Sequence, residues 1–109
     1  MTLDDIIGLA GALGIHERRS NSPEYCELVF FGEDVDAWDR VLAQALGEAK
    51  KPAGKEPTPA DLDLTRGTGG IRFNQILYEK NFGDKTIIAK IWPWNDARYM
   101  TLKMAVLLH

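Results

Sequence analysis

The stretch Arg66-Gly67-Thr68-Gly69-Gly70-Ile71-Arg72 has the residue types that hold anions. Glycines let backbone N–H groups approach a charged ligand closely, and an arginine stands at either end. Dinucleotide and triphosphate loops, however, follow a strand and open a helix whose N-terminus supplies positive potential, and the triphosphate loop adds a lysine and a hydroxyl that are missing here. This segment follows a polar connection and precedes a strand. It therefore reads as a flexible entry to that strand, with room for a single anion between Arg66 and Arg72.

Trp92-Pro93-Trp94, followed by Arg98 and Tyr99, is the second unusual constellation. Proline cannot donate to a ladder, so it belongs at a sheet edge or a bulge, and the tryptophans two residues apart fall on one side of the strand. Two indoles on one side make a platform that could stack on bases, hold a proline-rich peptide or pack against a second copy of the chain. The competing use is core filling beneath a helix.

Other reactive residue types read as structural. The histidines are His16, placed to meet the last carbonyls of a helix, and the final His109, so neither is held as a metal ligand or general base must be. Cys26 falls inside a strand with no adjacent cation to favour a thiolate. Glu33, Asp34, Asp36 and Asp39 crowd a helix start, which acidic residues stabilise, and lack the spacing of a calcium loop. Asp61 and Asp63 fall in a loop-like stretch and read as solvated. No acid, base, nucleophile or metal set emerges, and no cofactor is implied.

The elements that must position these residues follow from periodicity. Thr2 and Asp5 form a capping box for a helix carrying Ile6, Leu9, Ala10 and Leu13, with Gly14 as its stop. His16 to Pro23 is polar and reads as a loop. Tyr25 to Phe31 reads as a strand with Cys26, Leu28 and Phe30 on one face and Tyr25, Glu27, Val29 and Phe31 on the other. Asp34 caps a second helix with a stripe of Trp38, Val41, Leu42, Ala45 and Leu46. Residues 50–70, rich in lysine, proline and glycine, read as a flexible connection in which Thr58-Pro59-Ala60-Asp61 could open one helical turn. Three strands close the chain as a meander: Ile71 to Phe82, Thr86 to Trp94 and Tyr99 to Leu108. The expected fold is therefore α+β in the order α-β-α-β-β-β, one domain over residues 1–109, with a four-stranded, largely antiparallel sheet and two helices packed on one face.

Composition sets the class. The chain has 109 residues, 45% hydrophobic and 27% charged, as a folded domain should. No apolar run approaches the roughly eighteen residues of a membrane helix. The acidic start Met1-Thr2-Leu3-Asp4-Asp5 lacks the basic region of a signal peptide, and a lone cysteine builds no disulfide, so a reducing, cytoplasmic location is expected. The net charge of −3 is uneven: residues 1–49 carry ten acidic and three basic side chains, residues 50–109 six and ten. The halves either neutralise each other by packing or leave the basic half for an anionic partner.

Two readings follow. The first is a small non-enzymatic binding or assembly protein that contacts itself, as a homodimer, or a protein partner through the C-terminal meander and the Trp92/Trp94 edge. The second is weak binding of nucleic acid or another polyanion by a basic, aromatic sheet face that includes Arg66, Arg72, Lys80, Lys90, Arg98 and Lys103.

Overall fold

The computed structural model describes residues 1–109 and is α+β, but with five strands and three helices rather than the expected four and two. Helices α1 (Leu3–Leu9), α2 (Val35–Leu46) and α3 (Pro59–Thr65) accompany strands β1 (Ile15–Asn21), β2 (Tyr25–Phe31), β3 (Ile76–Asn81), β4 (Lys85–Pro93) and β5 (Tyr99–Leu108). The strands form one sheet in the order β1-β2-β5-β4-β3, every neighbouring pair antiparallel. The extra strand is β1, in the segment expected to be a loop. Its side chains are mostly exposed on both faces, and two register irregularities against β2 break its alternation. A solvated edge strand of this kind carries no hydrophobic period to read. The extra helix, α3, grows from the single turn expected at Thr58.

One face of the sheet holds the main core. Cys26, Leu28 and Phe30 of β2, Leu102 and Met104 of β5, and Ile87, Ala89 and Ile91 of β4 pack under Leu3 and Ile6 of α1 and the apolar stripe of α2. Trp38 is fully buried and stacks on Phe30 with ring centroids 5.1 Å apart. Tyr78 of β3 is buried on the same face and donates its hydroxyl to Asp39 of α2. The Thr2/Asp5 capping box is present, although α1 stops at Leu9 instead of residue 14. Asp34 occupies the N-cap position of α2 without a side-chain capping bond, because a short 3-10 turn over Gly32–Asp34 precedes it. That turn presses on the β4–β5 connection. A Cβ on Gly32 would lie 2.0 Å from the Ala97 carbonyl oxygen, so only glycine fits there.

The second face is covered by residues 50–75 across part of its width only. After α2 the chain runs along the outer edge of β3, where Leu77 and Lys51 exchange backbone hydrogen bonds. It then crosses the face as α3 and a 3-10 turn over Arg66–Thr68 before entering β3 at Ile76, five residues later than the sequence implies. Ile71, Leu77, Ile88 and Ala105 form a small second core there, with Leu64 of α3, Tyr25 and Leu107 packed against it.

Lys51 ties this strap together. It is 1% exposed, and its ammonium donates to the carbonyls of Pro52, Phe73 and Gln75 at 2.9, 3.1 and 2.6 Å, so each of its three N–H bonds has an acceptor. Asp61, far from being solvated, is 2% exposed and closes the α3 capping box with Thr58, with Lys50 3.4 Å from its other oxygen. Lys51→Met should lower the unfolding free energy by about 2 kcal/mol or more, because three inward carbonyls lose their donor. Denaturant titration measures this, and hydrogen exchange should show the loss concentrated in residues 50–75.

Candidate functional site

The uncovered part of the second face begins where the strap ends. Gly69 and Gly70 both have positive φ, at 95° and 81°, and this turn swings the chain over the ends of Lys90 and Lys103. Two lysines on adjacent strands face the same loop: in the β4–β5 ladder Lys90 is the direct partner of Lys103. Directly opposed side chains share a sheet face, and like charges in that arrangement repel.

Lys90 is the more constrained of the two. It is 2% exposed, and its ammonium donates to the carbonyls of Thr68 and Gly70 at 2.6 and 2.9 Å. Those two acceptors serve three N–H bonds, one fewer than Lys51 finds. Lys103 reaches the same Thr68 carbonyl at 3.4 Å and stands 3.9 Å from Glu27 of β2. Both ammonium groups lie near the Trp92 ring, at 6.0 Å for Lys90 and 5.6 Å for Lys103. The charges facing Lys90 are Lys103 on β5, Glu27 on β2 and Arg72 on the strap. Burial, and then the neighbouring Lys103, push its ammonium pKa down to about 8, with Glu27 opposing them.

A cleft of about 230 Å³ opens between these groups. The strap supplies Thr68, Gly69 and Gly70 on one side and Arg72 and Gln75 below, and the sheet supplies Lys90, Trp92 and Lys103. Gln75 accepts a hydrogen bond from the Arg72 backbone N–H at 2.9 Å, which fixes the turn carrying the exposed arginine.

Trp92 and Trp94 are each half-buried on this second face, not beneath α1 and α2. Trp94 covers the sheet. Its indole N–H donates to Thr101 at 3.0 Å, its ring packs on Tyr99 at 5.1 Å, and the Arg19 guanidinium lies 5.4 Å from its centroid. Tyr99 in turn stacks on His16 at 4.4 Å. Trp92 separates the cation cleft from a second hollow, of about 520 Å³, lined by Pro93, Trp94, Asn95 and Asp96. Strand β4 is internal to the sheet, but β3 pairs with it no further than Ile91, opposite Ile76. Residues 92 and 93 therefore lack a neighbour on that side, which is the local edge that Pro93 requires.

Of the candidate residues read from the sequence, Arg72, Lys90, Trp92 and Lys103 converge on the cleft, and Trp94 and Tyr99 form the adjoining aromatic patch. Arg66 is outside it, exposed and paired with Asp63. Arg98 lies at the far end of the meander, lining a hollow with Phe31, Glu33, Asp96 and Ala97. Lys80 sits at the opposite end of β3, over the Phe82 ring at 5.4 Å. Arg19 and Glu27 are additions from the structure. The sequence gives no sign of either, because β1 carries no strand period and Glu27 is one of four alternating residues in a strand whose partner only the fold supplies.

Of the other reactive residue types, Cys26 is buried and its thiol pKa is raised by burial. His109 bonds Thr86 through its ring at 2.7 Å. No three His, Cys, Asp or Glu side chains group as metal ligands would. No helix is long and apolar enough to cross a membrane. No family model, curated protein or solved structure matches this chain.

The depressed Lys90 pKa has a definite consequence for stability. Between about pH 8 and the ordinary lysine value of 10.5 the unfolded chain holds a proton that folded Lys90 has released, so the unfolding free energy rises with pH across that window. Above about pH 10 the rise should be opposed by Tyr25 and Tyr78. Burial raises their hydroxyl pKa values, so they keep protons in the folded chain that the unfolded chain loses. Denaturant titrations at intervals from pH 7 to pH 10 should show a steeper rise for the native chain than for Lys90→Met, with the difference confined to pH above about 8.

Proposed function

We propose that this chain is a non-enzymatic binding protein whose ligand is a small anion, held in the cleft between the Gly69-Gly70 turn and the Lys90–Lys103 pair. The observation that carries the reading is that pair: two ammonium groups directly opposed on neighbouring strands, one of them almost fully buried, with two backbone carbonyls and a single carboxylate nearby. A buried charge is costly without a counter-charge, and like charges across a ladder add to the cost. An anion between them relieves both. Arg72 adds a third positive group from the strap, and the two glycines leave the approach free of side chains.

Sulfate is a suitable probe because its charge is constant over the relevant pH range. Calorimetry should find one saturable site per chain, with affinity falling roughly tenfold from about pH 7 to about pH 9.5 as Lys90 loses its proton. At pH 8, binding should be accompanied by proton uptake from the buffer. Lys90→Met and Lys103→Met should each weaken it. Absence of binding at low salt and pH 7 rules the reading out.

A second reading, assembly of two copies or docking of a protein partner through the meander, is favoured by one feature. Beyond Ile91 the edge of β4 is open beside Trp92, Pro93 and Trp94. Its weakness is Pro93, which offers no N–H to an added strand. Light scattering behind a sizing column distinguishes the two readings. Assembly requires a dimer that dissociates when Trp92 and Trp94 are changed to serine, whereas the anion reading expects a monomer.

A further inference from the structure

We infer that the ligand is a free mononucleotide, its phosphate held by Lys90, Lys103 and Arg72 and its base laid on Trp92 in the adjoining hollow. This deepens the anion-binding reading and rests on it. The cation cleft of about 230 Å³ and the hollow of about 520 Å³ are lined in common by Trp92, and together they reach the size range of small-molecule sites. A ligand spanning them meets cations at one end and a half-buried indole at the other. The two ammonium groups lie 5.6 and 6.0 Å from the ring centroid, so a phosphate held by them would lie beside the indole. Pro93 and Trp94 continue the apolar wall beyond Trp92.

Asn95 and Asp96 close the hollow with groups suited to a base edge. The exposed Asn95 amide offers one acceptor and two donors, and the Asp96 carboxylate, one oxygen of which accepts from the Arg98 backbone N–H, accepts from exocyclic amino groups. Stacking and edge contacts of this kind are the usual means of holding a flipped or single base.

Charge decides between a free nucleotide and a polynucleotide. Only three cations converge on the cleft, the chain carries a net −3, Glu27 stands 3.9 Å from Lys103, and Asp96 lines the hollow. One phosphate matches that field, whereas a strand with a charge at every residue would run into the carboxylates.

The test is a ligand series on the native chain at pH 7 and low salt, read by calorimetry and tryptophan fluorescence: sulfate, ribose 5-phosphate, adenosine, adenosine monophosphate and a twelve-residue single-stranded oligonucleotide. Adenosine monophosphate should bind about tenfold or more tighter than ribose 5-phosphate, quench tryptophan emission and be displaced by sulfate. Trp92→Leu, checked for an unchanged circular dichroism spectrum, should bring the affinity for adenosine monophosphate down to that for ribose 5-phosphate measured on the same variant. Equal affinity for ribose 5-phosphate and adenosine monophosphate in the native chain overturns the nucleotide assignment and leaves the anion site standing. Loss of all binding, sulfate included, overturns both. An oligonucleotide that binds far tighter than the monophosphate, with affinity falling steeply in salt, overturns the mononucleotide in favour of a strand-binding surface.

Discussion

The ammonium group of Lys90 is where three parts of this chain meet. It rises from β4, takes the carbonyls of Thr68 and Gly70 from the returning strap, and stands opposite Lys103 of β5. The strap crosses the sheet with few apolar anchors, since Ile71 and Leu64 do most of the packing on Ile88, Ala105 and Leu77. Polar ties therefore decide where it lies. Lys51 secures its two ends to each other and Lys90 secures its tip to the sheet. The same tie that places the glycine turn leaves a positive charge buried beneath it. In the proposed anion site, the energetic cost of that buried charge is what a bound anion would lift.

The two faces of the sheet divide the work. The face under α1 and α2 holds the large apolar side chains, with Trp38 and Tyr78 fully buried, and supplies the hydrophobic burial that dominates folding. The opposite face does not need to be apolar throughout, so it accommodates Glu27, Lys90, Thr101 and Lys103 beside Trp92 and Trp94. Its half-width cover gives the cleft a floor of strands and a wall of loop. Rigid strands set the spacing of Lys90, Trp92 and Lys103, and the loop contributes the flexible partner, a division suited to a preorganised site.

Much of this was legible in the sequence, and the failures have physical causes. The apolar stripe of α2 is readable because one-sided burial imprints a period, and β2 because its aromatic and branched residues suit a strand covered on both faces. β1 is not, since Glu17, Arg18 and Arg19 face solvent on an irregular edge and leave no period. The capping box Thr58/Asp61 announced the start of α3, but its place on the sheet depends on Leu64, Ile71 and Lys51, none of which differs by type from ordinary loop residues. Arg72, Lys90, Trp92 and Lys103 read from the sequence as candidates for one basic, aromatic sheet face, without the registers that would place them round one cleft. Their convergence follows from the pairing of residue 90 with residue 103, and register is a property of the assembled sheet that single segments do not encode. The glycine stretch has neither the preceding strand nor the following helix of a phosphate loop, so from the sequence it reads as a flexible strand entry with room for a single anion. In the folded chain Lys90 and Lys103 from the sheet reach that stretch instead, bonding the Thr68 and Gly70 carbonyls.

The most direct measurement is the titration of the Lys90 side chain by nuclear magnetic resonance, following its ε-methylene and ammonium signals with and without saturating sulfate. The expected result is a pKa near 8 in the free chain, moving up toward the ordinary lysine value when sulfate occupies the cleft, with Lys51 unmoved by sulfate. A Lys90 that titrates at the same pH in the presence and absence of sulfate would contradict it. The lysine would then serve only to hold the strap.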